Sequence, residues 1–272
     1  MPAAHDAQTT ASELVQELAV EIKGKVVLTT DLDSLAAARS AADVVNSWAD
    51  VPSIDVLINN AGIMAPDFKL SPDGFESQLA TNHLGPFLFT NLIMGKILAS
   101  KSPRIVNVGS DGHRLNPIRW ADYNFENGAN YDRWHAYGQT KTANMLFALS
   151  LAEKLGGRGL QSYSLHPGVI GTNLDNQLDW NQALPGLRAA DRALGNKEGW
   201  SDFKWKTPDQ GAATHVYACF DPNLKDHNGA YLENSHVADP WVETVKPWGT
   251  SKVEAARLWE LSEKLVGQEF SY

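Results

Sequence analysis

The sequence "IDVLINNAG", residues 54–62, is the clearest indication of the fold. A short apolar run that ends in asparagines and a glycine is typical of a buried strand followed by a turn. Comparable runs are "KVVLTTDL" (25–32), "RIVNVGS" (104–110) and "LQSYSLHPG" (160–168). Strands with nearly continuous apolar residues indicate a parallel sheet that is buried on both faces.

Segments with helical spacing separate these strands. The helices and the last strand are predicted at 36–50, about 74–100, about 133–155, 209–221, 229–236 (strand) and 251–268. This alternation predicts a doubly wound, Rossmann-like α/β fold. Because we find no repeat or linker, residues 1–272 are predicted to form a single domain, in which the irregular segment 172–207 is a substrate-binding loop or lid.

Composition limits the function classes. The 272 residues are 43% hydrophobic and 20% charged, with a net charge of -9 and no long basic run, which argues against nucleic acid as a partner. Cys219 is the single cysteine and cannot form an internal disulfide. No stretch approaches the roughly twenty apolar residues of a membrane span, and the first residues do not resemble a signal peptide. We therefore predict a cytoplasmic protein.

Polar residues follow three predicted strands at the point where each strand ends. Because ligands of open parallel sheets bind outside the carboxyl ends of the strands, a site is expected along this rim. Ser110 ends one of the strands. In the helix that follows, Tyr137 and Lys141 are four residues apart and share one face.

These three side chains suit proton transfer. A tyrosine hydroxyl has a pKa near 10, and a neighbouring ammonium such as that of Lys141 is expected to lower the pKa of Tyr137. Ser110 is able to hold a substrate oxygen against Tyr137 by a hydrogen bond. If a hydride is also transferred, a cofactor must carry it, because no side chain does.

Five motifs, in this order and spacing, resemble those of the short-chain dehydrogenase/reductase family. The similarity is greatest to the retinol dehydrogenase and WW-domain oxidoreductase type, including its fungal members, and it runs from about residue 10 to the C-terminus. The motifs are "NNAG" (59–62), "TNHLGPF" (81–87), "RIVNVGS" (104–110), "YGQTK" (137–141) and "HPGVIGT" (166–172).

The resemblance implies an NAD(P) cofactor and assigns a role to each matching residue. The implied catalytic tetrad has Tyr137 as acid/base and Lys141 as a further ligand of the nicotinamide ribose, and it is completed by Ser110 and by Asn82, which holds a water in the proton relay. Asp31 is the implied adenine contact. The remaining implied cofactor-binding residues are Asn59, Ala61 and Gly62 in the turn beside the cofactor, and Pro167, Gly168, Val169 and Thr172 near the carboxamide.

The N-terminus departs from the family pattern. The family begins with a strand, a T-G-x-x-x-G-x-G turn that binds the pyrophosphate, and a second strand. Here Gly24 is the only glycine before Gly62, and "TTASELVQELA" (9–19) matches the helix after that second strand. We therefore expect a chain that starts about thirty to forty residues late. Three arrangements remain open: direct pairing of 25–32 with 54–62, an incomplete version of a longer protein, or pairing with another chain.

Structural roles are open for several of these residues. Ser110 and Asp31 are also placed to cap a turn or helix, and Asn82 is also suited to bonding backbone between strands. Three histidines lack partners at ligand spacing and are interpreted as loop or packing residues, so that no metal is predicted. They are His113, His135 and His166.

Two function classes follow. The first is an oxidoreductase that acts on a carbonyl or secondary alcohol of an apolar small molecule, with Trp180, Trp200 and Trp205 either lining its pocket or anchoring a loop. The second is a non-redox isomerase, cyclase or lyase that uses Tyr137, or a cofactor-free binding protein. The missing glycine turn supports the second, because NAD(P) binding would then be weak or absent. A monomer and a homodimer are both allowed.

Overall fold

A computed structural model of the chain describes residues 5–29, 34–176, 178–197 and 204–272. The helices within these ranges are α1 (Ala11–Glu17), α2 (Ala19–Ile22), α3 (Leu35–Ser47), α4 (Ser77–Leu79), α5 (Gly85–Leu92), α6 (Met94–Leu98), α7 (Arg133–Leu155), α8 (Trp180–Ala193), α9 (Pro208–Phe220) and α10 (Lys252–Val266).

The central sheet has the order β1-β2-β3-β4-β7-β8. Neighbouring strands are parallel except for β7 and β8, which form an antiparallel pair. A separate parallel pair joins β5 to β6. The strands are β1 (Val27–Thr29), β2 (Val56–Asn59), β3 (Arg104–Val108), β4 (Gln161–His166), β5 (Val169–Ile170), β6 (Trp205–Lys206), β7 (Tyr231–Glu233) and β8 (His236–Val237). The predicted α/β fold is thus confirmed.

The amino-terminal strand β1 pairs directly with β2. Val27 lies opposite Val56 and Leu28 opposite Leu57 in a parallel register. Behind the sheet, α1 packs against α9, and the Ser12 hydroxyl donates to Asp209 Oδ1 at 3.1 Å. The structure thus shows the direct pairing of 25–32 with 54–62, through Val27–Thr29.

The long helix predicted for about 74–100 is interrupted. It consists of α4, a π-helical turn over Ala80–Leu84, α5 and α6. Pro86 lies near the start of α5, and because proline has no amide hydrogen it cannot donate to the preceding turn. The widened turn places Asn82 in the irregular part of the backbone.

The described residues of the segment 172–207 are more regular than their composition indicates. They include α8, which buries Ala183 and Leu187 although Pro185 lies within the helix. Trp134 of α7 donates its indole N–H to the Ala183 carbonyl at 3.0 Å. This tertiary bond and the apolar face of α8 stabilise a helix that its proline and glycine disfavour.

One face of α7 is covered by the carboxyl-terminal part of the chain. The rings of Phe87, Phe147 and Trp259 pack with centroids 5.0–6.1 Å apart. Phe270 adds a further ring contact to Phe87. Among the described helices, none combines the length and the apolar character needed to cross a bilayer.

Candidate active site

A cavity of about 580 Å³ opens at the carboxyl ends of β2, β3 and β4. Its further walls are α7, α8 and the segment that follows β4. This is the rim where the strand order predicts a site. Ser110, Tyr137 and Lys141 all line this cavity, so the structure brings the three predicted side chains together.

Ser110 and Tyr137 lie close together on either side of Gly112, where an added Cβ would be 3.2 Å from Ser110 Oγ and 2.7 Å from Tyr137 Cε1. Ser110 Oγ accepts from the Gly112 amide at 3.0 Å, which fixes the hydroxyl at the start of the turn Asp111–Leu115. Burial raises the pKa of Tyr137 above its ordinary value, and the neighbouring Ser110 hydroxyl offsets only part of that rise. The expected lowering of the pKa by Lys141 is therefore wrong for this structure.

Lys141 lies beneath the ring of Tyr137 rather than at its hydroxyl. Its Nζ is 5.4 Å from the ring centroid and donates to the Val108 carbonyl at 3.0 Å. Burial lowers the pKa of Lys141 to about 8. The ammonium is thus still the main form at neutral pH, and its position is fixed by the end of β3.

Two glycines allow the close approach of Tyr137 to Ser110. A Cβ on Gly112 would lie 2.7 Å from Tyr137 Cε1 and 3.2 Å from Ser110 Oγ. A Cβ on Gly138 would lie 2.7 Å from the Asn116 amide nitrogen. Larger residues at either position would push α7 and its tyrosine away from the serine turn, a requirement that the motif comparison did not identify.

Asn82 supports the cavity from behind. Its Oδ1 accepts from the Ile63 amide at 2.8 Å, and its Nδ2 donates to the Ile63 carbonyl at 2.9 Å and to Thr140 Oγ1 at 3.0 Å. Asn59 likewise points away from the cavity, with its Nδ2 donating to Thr90 and Asn107. Both side chains therefore stabilise neighbouring backbone and side chains by hydrogen bonds. Asn60, not Asn59, lines the cavity.

The other predicted cofactor residues divide into two groups. One group lines the cavity: Ala61, Gly62, Pro167, Gly168, Val169 and Thr172. The other is Asp31 alone, which lies outside the described residues. Trp180 and Trp205 also line the cavity, whereas Trp200 lies outside the described residues.

Several cavity residues were not identified from the sequence. Trp134 is one helical turn before Tyr137, and this spacing could have indicated that it faces the same site. Asp111 and Arg114 lie in the turn after Ser110 and form an ion pair. His113, in the same turn, hydrogen-bonds the Ser110 carbonyl through Nδ1 at 2.7 Å and accepts from the Lys246 amide through Nε2 at 3.1 Å. It is a packing residue, as predicted.

Comparison with known proteins places this site in context. A family model described as short chain dehydrogenase matches residues 3–124. Retinol dehydrogenase 14 from Mus musculus is 36% identical over 242 residues, which are 89% of this chain and 67% of that protein. Short-chain dehydrogenase/reductase prx1 from Penicillium rubens is 34% identical over 256 residues, covering 88% of this chain and 70% of that protein.

Solved structures share the architecture. A crystal structure of an uncharacterized protein from Mycobacterium paratuberculosis is 31% identical, with a TM-score of 0.63 over 89% of this chain and 75% of that one. A short chain dehydrogenase from the same organism, bound to NAD, has the same fold at 18% identity, with a TM-score of 0.54 and coverage of 74% and 70%. Identities above 30% over most of both chains identify the lineage: the chain belongs to the short-chain dehydrogenase/reductase family.

Proposed function

We propose that this protein is an oxidoreductase that interconverts a carbonyl and a secondary alcohol on an apolar small molecule, with Tyr137 as the acid/base. The placement of Ser110 and Tyr137 side by side on the wall of one cavity, with Lys141 beneath the tyrosine ring, carries this proposal. A carbonyl oxygen that accepts from both hydroxyls would be polarised and protonated at one position. Such geometry serves proton transfer in either direction of the reaction.

The raised pKa of Tyr137 favours one direction at neutral pH. Because burial keeps the phenol protonated, Tyr137 is ready to donate a proton to an alkoxide that forms from a carbonyl. Reduction of a carbonyl is therefore the direction for which the resting site is prepared.

The residues of the cavity fit the nicotinamide end of an NAD(P) cofactor. Lys141 and Tyr137 offer donors to ribose hydroxyls, and Pro167 to Val169 present backbone groups on the opposite wall. Gly62 keeps this space open, because a Cβ there would lie 3.0 Å from Asn82 Oδ1 and 3.8 Å from Lys141 Nζ. When bound, the nicotinamide supplies or accepts the hydride that no side chain carries.

Apolar side chains make the rest of the cavity suitable for an apolar substrate. Met64, Leu115 and Leu187 line it, together with the rings of Trp134 and Trp180, whose centroids are 6.1 Å apart. A cavity of about 580 Å³ is within the range of small-molecule sites. We therefore assign the segment 172–207 to substrate binding, with α8 supplying its helical wall.

A second function is favoured by the pairing of β1 with β2. In the family pattern, the strands that hold the glycine-rich phosphate turn lie between these two, and within the described ranges no strand occupies that position. The protein would then use Tyr137 for proton transfer without redox chemistry, as an isomerase, cyclase or lyase, or it would bind a ligand without reaction. Loss of the phosphate contacts removes several charge-assisted hydrogen bonds of about 1.5–3 kcal/mol each.

Reduction of a panel of apolar ketones and aldehydes with NADPH or NADH tests the proposal. Tyr137→Phe should lower kcat/KM about 10²- to 10⁴-fold, because the general acid is lost. Tyr123→Phe, at a tyrosine outside the cavity, should leave kcat/KM unchanged. Equal rates for Tyr137→Phe and the original protein would exclude Tyr137 as the acid/base.

The packing of α10 on α7 supports a monomer. Ser150 of α7 donates to the Ala255 carbonyl of α10 at 2.8 Å, and Trp259 covers the aromatic core beneath. Because α7 is already covered by its own chain, its outer face is not free for a second subunit. Light scattering should give a molar mass near 29.8 kDa; twice that mass would contradict this arrangement.

A further inference from the structure

Arg114 lies under the cavity and contacts two carboxylates. Its Nε donates to Asp191 Oδ1 at 2.8 Å and its Nη2 to Asp191 Oδ2 at 3.2 Å, so that this contact is bidentate. Its Nη1 donates to Asp111 Oδ2. The side chain of Arg114 is 8% exposed and that of Asp191 is fully buried. Buried ion pairs of this kind require closely matched geometry, because unpaired charges are costly to bury.

The two carboxylates belong to different parts of the site. Asp111 directly follows Ser110 and shares its turn, whereas Asp191 lies in the last turn of α8. Asn196, just beyond α8, donates its Nδ2 to the Arg114 carbonyl at 2.9 Å. The turn that holds Ser110 is therefore joined to the end of α8 through both the side chain and the backbone of Arg114.

The other half of α8 is joined to the helix that carries Tyr137. Trp134 donates to the Ala183 carbonyl, and its ring stacks on Trp180. Between these two attachments, Leu187 is fully buried and lines the cavity. One end of α8 is thus attached to the helix that carries Tyr137, and the other end is attached to the turn that holds Ser110.

The charges of this cluster also act on the site. One guanidinium is shared by two carboxylates, so the three side chains carry a net charge of about -1 when ionised. Burial opposes ionisation of Asp111, but the charge of Arg114 holds the pKa of Asp111 below its usual range. The resulting anion contributes to the raised pKa of Tyr137. The position in which Arg114 holds the Asp111 carboxylate therefore influences the pKa of Tyr137.

We propose that Arg114 is a positioning residue, which holds α8 as a fixed wall of the substrate cavity. The cavity would then keep its shape without substrate. The part of this inference that concerns turnover rests on the proposed function; the part that concerns α8 does not.

Hydrogen–deuterium exchange of the full chain tests the position of α8. In Asp191→Asn, one oxygen that faces Arg114 becomes an amide NH₂, which disrupts the bidentate contact with little change of shape. Amides 186–193 should then exchange at least about tenfold faster. The matched control is Asp122→Asn, which weakens another Arg-paired carboxylate, with Arg119 at 2.7 Å, outside the cavity. It should leave exchange in α8 within about twofold.

Arg114→Lys provides a second variant that keeps the charge. A lysine ammonium cannot form the forked contact, so exchange in α8 should rise less than in Asp191→Asn but more than in the control. Unchanged exchange in α8 for both variants would overturn the proposal. An equal rise in every buried element would also overturn it, because the ion pair would then add only global stability.

Binding and turnover of 2-decanone complete the test. The dissociation constant, followed through the fluorescence of the cavity tryptophans, should rise at least about fivefold in Asp191→Asn, because the apolar wall is no longer held. If the ketone is reduced, KM should rise similarly while kcat stays within about twofold. A fall in kcat at constant KM and unchanged affinity would contradict positioning of the wall. If no carbonyl compound is reduced at all, the proposed function fails, and exchange and binding still decide the role of Arg114.

Discussion

The rim around Ser110 and the amino-terminal edge of the sheet differ in how firmly the chain fixes them. Every residue of β3 is buried, and almost every residue of α7 from Trp134 to Leu151 is buried as well. At the edge, β1 has three residues, with Val27 46% exposed, and α1 buries only Leu14. The acid/base residues are thus placed by the core of the protein, whereas the edge depends on few contacts.

This difference separates two halves of the proposed chemistry. Proton transfer depends on Ser110, Tyr137 and Lys141, which lie on the firmly fixed side. Binding of the distal half of a dinucleotide would depend on the amino-terminal side, where the family's phosphate turn is missing from the sequence. The residues proposed for acid/base chemistry therefore lie in the more deeply buried of these two regions.

The largest expected contrast is in stability. Phe147→Ala removes a buried ring from the core beside α7 and should lower the free energy of unfolding by about 3–5 kcal/mol. Val27→Ala at the exposed edge should lower it by less than about 1 kcal/mol. Urea denaturation measures both. Equal losses would show that the edge is as firmly packed as the core.

The second contrast uses two glycines. Gly112→Ala should lower kcat/KM about 10²-fold, because its Cβ would displace the ring of Tyr137 from Ser110. Gly24→Ala, where φ is +79° and the added Cβ meets no atom within 4 Å, should cost about 1 kcal/mol of stability and no activity. Steady-state kinetics and thermal melting distinguish the two effects. An active Gly112→Ala would show that the site tolerates a shifted tyrosine.

Acid should lower the free energy of unfolding through histidines in the interior of the protein. Burial lowers the pKa of His83 to about 3, and those of His113 and His215 to about 4. Because the unfolded chain binds these protons more readily, the stability they contribute is complete above about pH 6.5 and is lost as the pH falls toward 4. Each histidine should contribute a loss on the order of 2 kcal/mol between pH 6.5 and 5.

Urea midpoints at pH 7 and pH 5, with His83→Gln for comparison, measure this loss. The variant should show a smaller fall than the original protein. Glu233 acts in the opposite direction: burial raises its pKa to about 7, so the folded chain binds this proton more readily than the unfolded chain, and the stability from this group rises as the pH falls from 7 to 5. A protein that is equally stable at both pH values would contradict the burial of these histidines.

The smallest expected effect concerns Lys141. Its pKa of about 8 predicts that kcat/KM falls by about tenfold per pH unit above pH 8, as the ammonium loses its proton. Lys141→Arg, which stays charged, should remove this fall even if the rate is lower. A pH profile that is flat to pH 10 would show that the charge of Lys141 is not required.

Much of the fold was predictable from local patterns. The apolar runs at 54–62 and 104–110 correspond to β2 and β3, and the Tyr137 and Lys141 spacing correctly predicts a shared helical face. Helix α8 was missed because Pro185 and Gly186 disfavour it, and only the tertiary bond from Trp134 and its buried face stabilise it.

The site residues that belong to the five family motifs were predictable from the sequence. The direction of the pKa shift of Tyr137 was wrong, since desolvation depends on packing that the sequence does not display. The Arg114 and Asp191 ion pair was also beyond prediction, because it joins residues 77 positions apart. Asn82 and Asn59 have the right residue types, yet their bonds to backbone and neighbouring side chains appear only in three dimensions.

Titration of the 272-residue chain with NADPH and NADH by calorimetry is the most direct test of the central claim. The proposed oxidoreductase should bind one of them saturably, with a dissociation constant below about 1 mM, and more weakly than a site with the complete phosphate turn. Tyr137→Phe should weaken this affinity by less than about tenfold, because only one of several proposed hydrogen bonds to the cofactor is lost. If a folded chain gives no binding heat up to several times that concentration, the redox function is contradicted and proton transfer without a cofactor becomes the function to test.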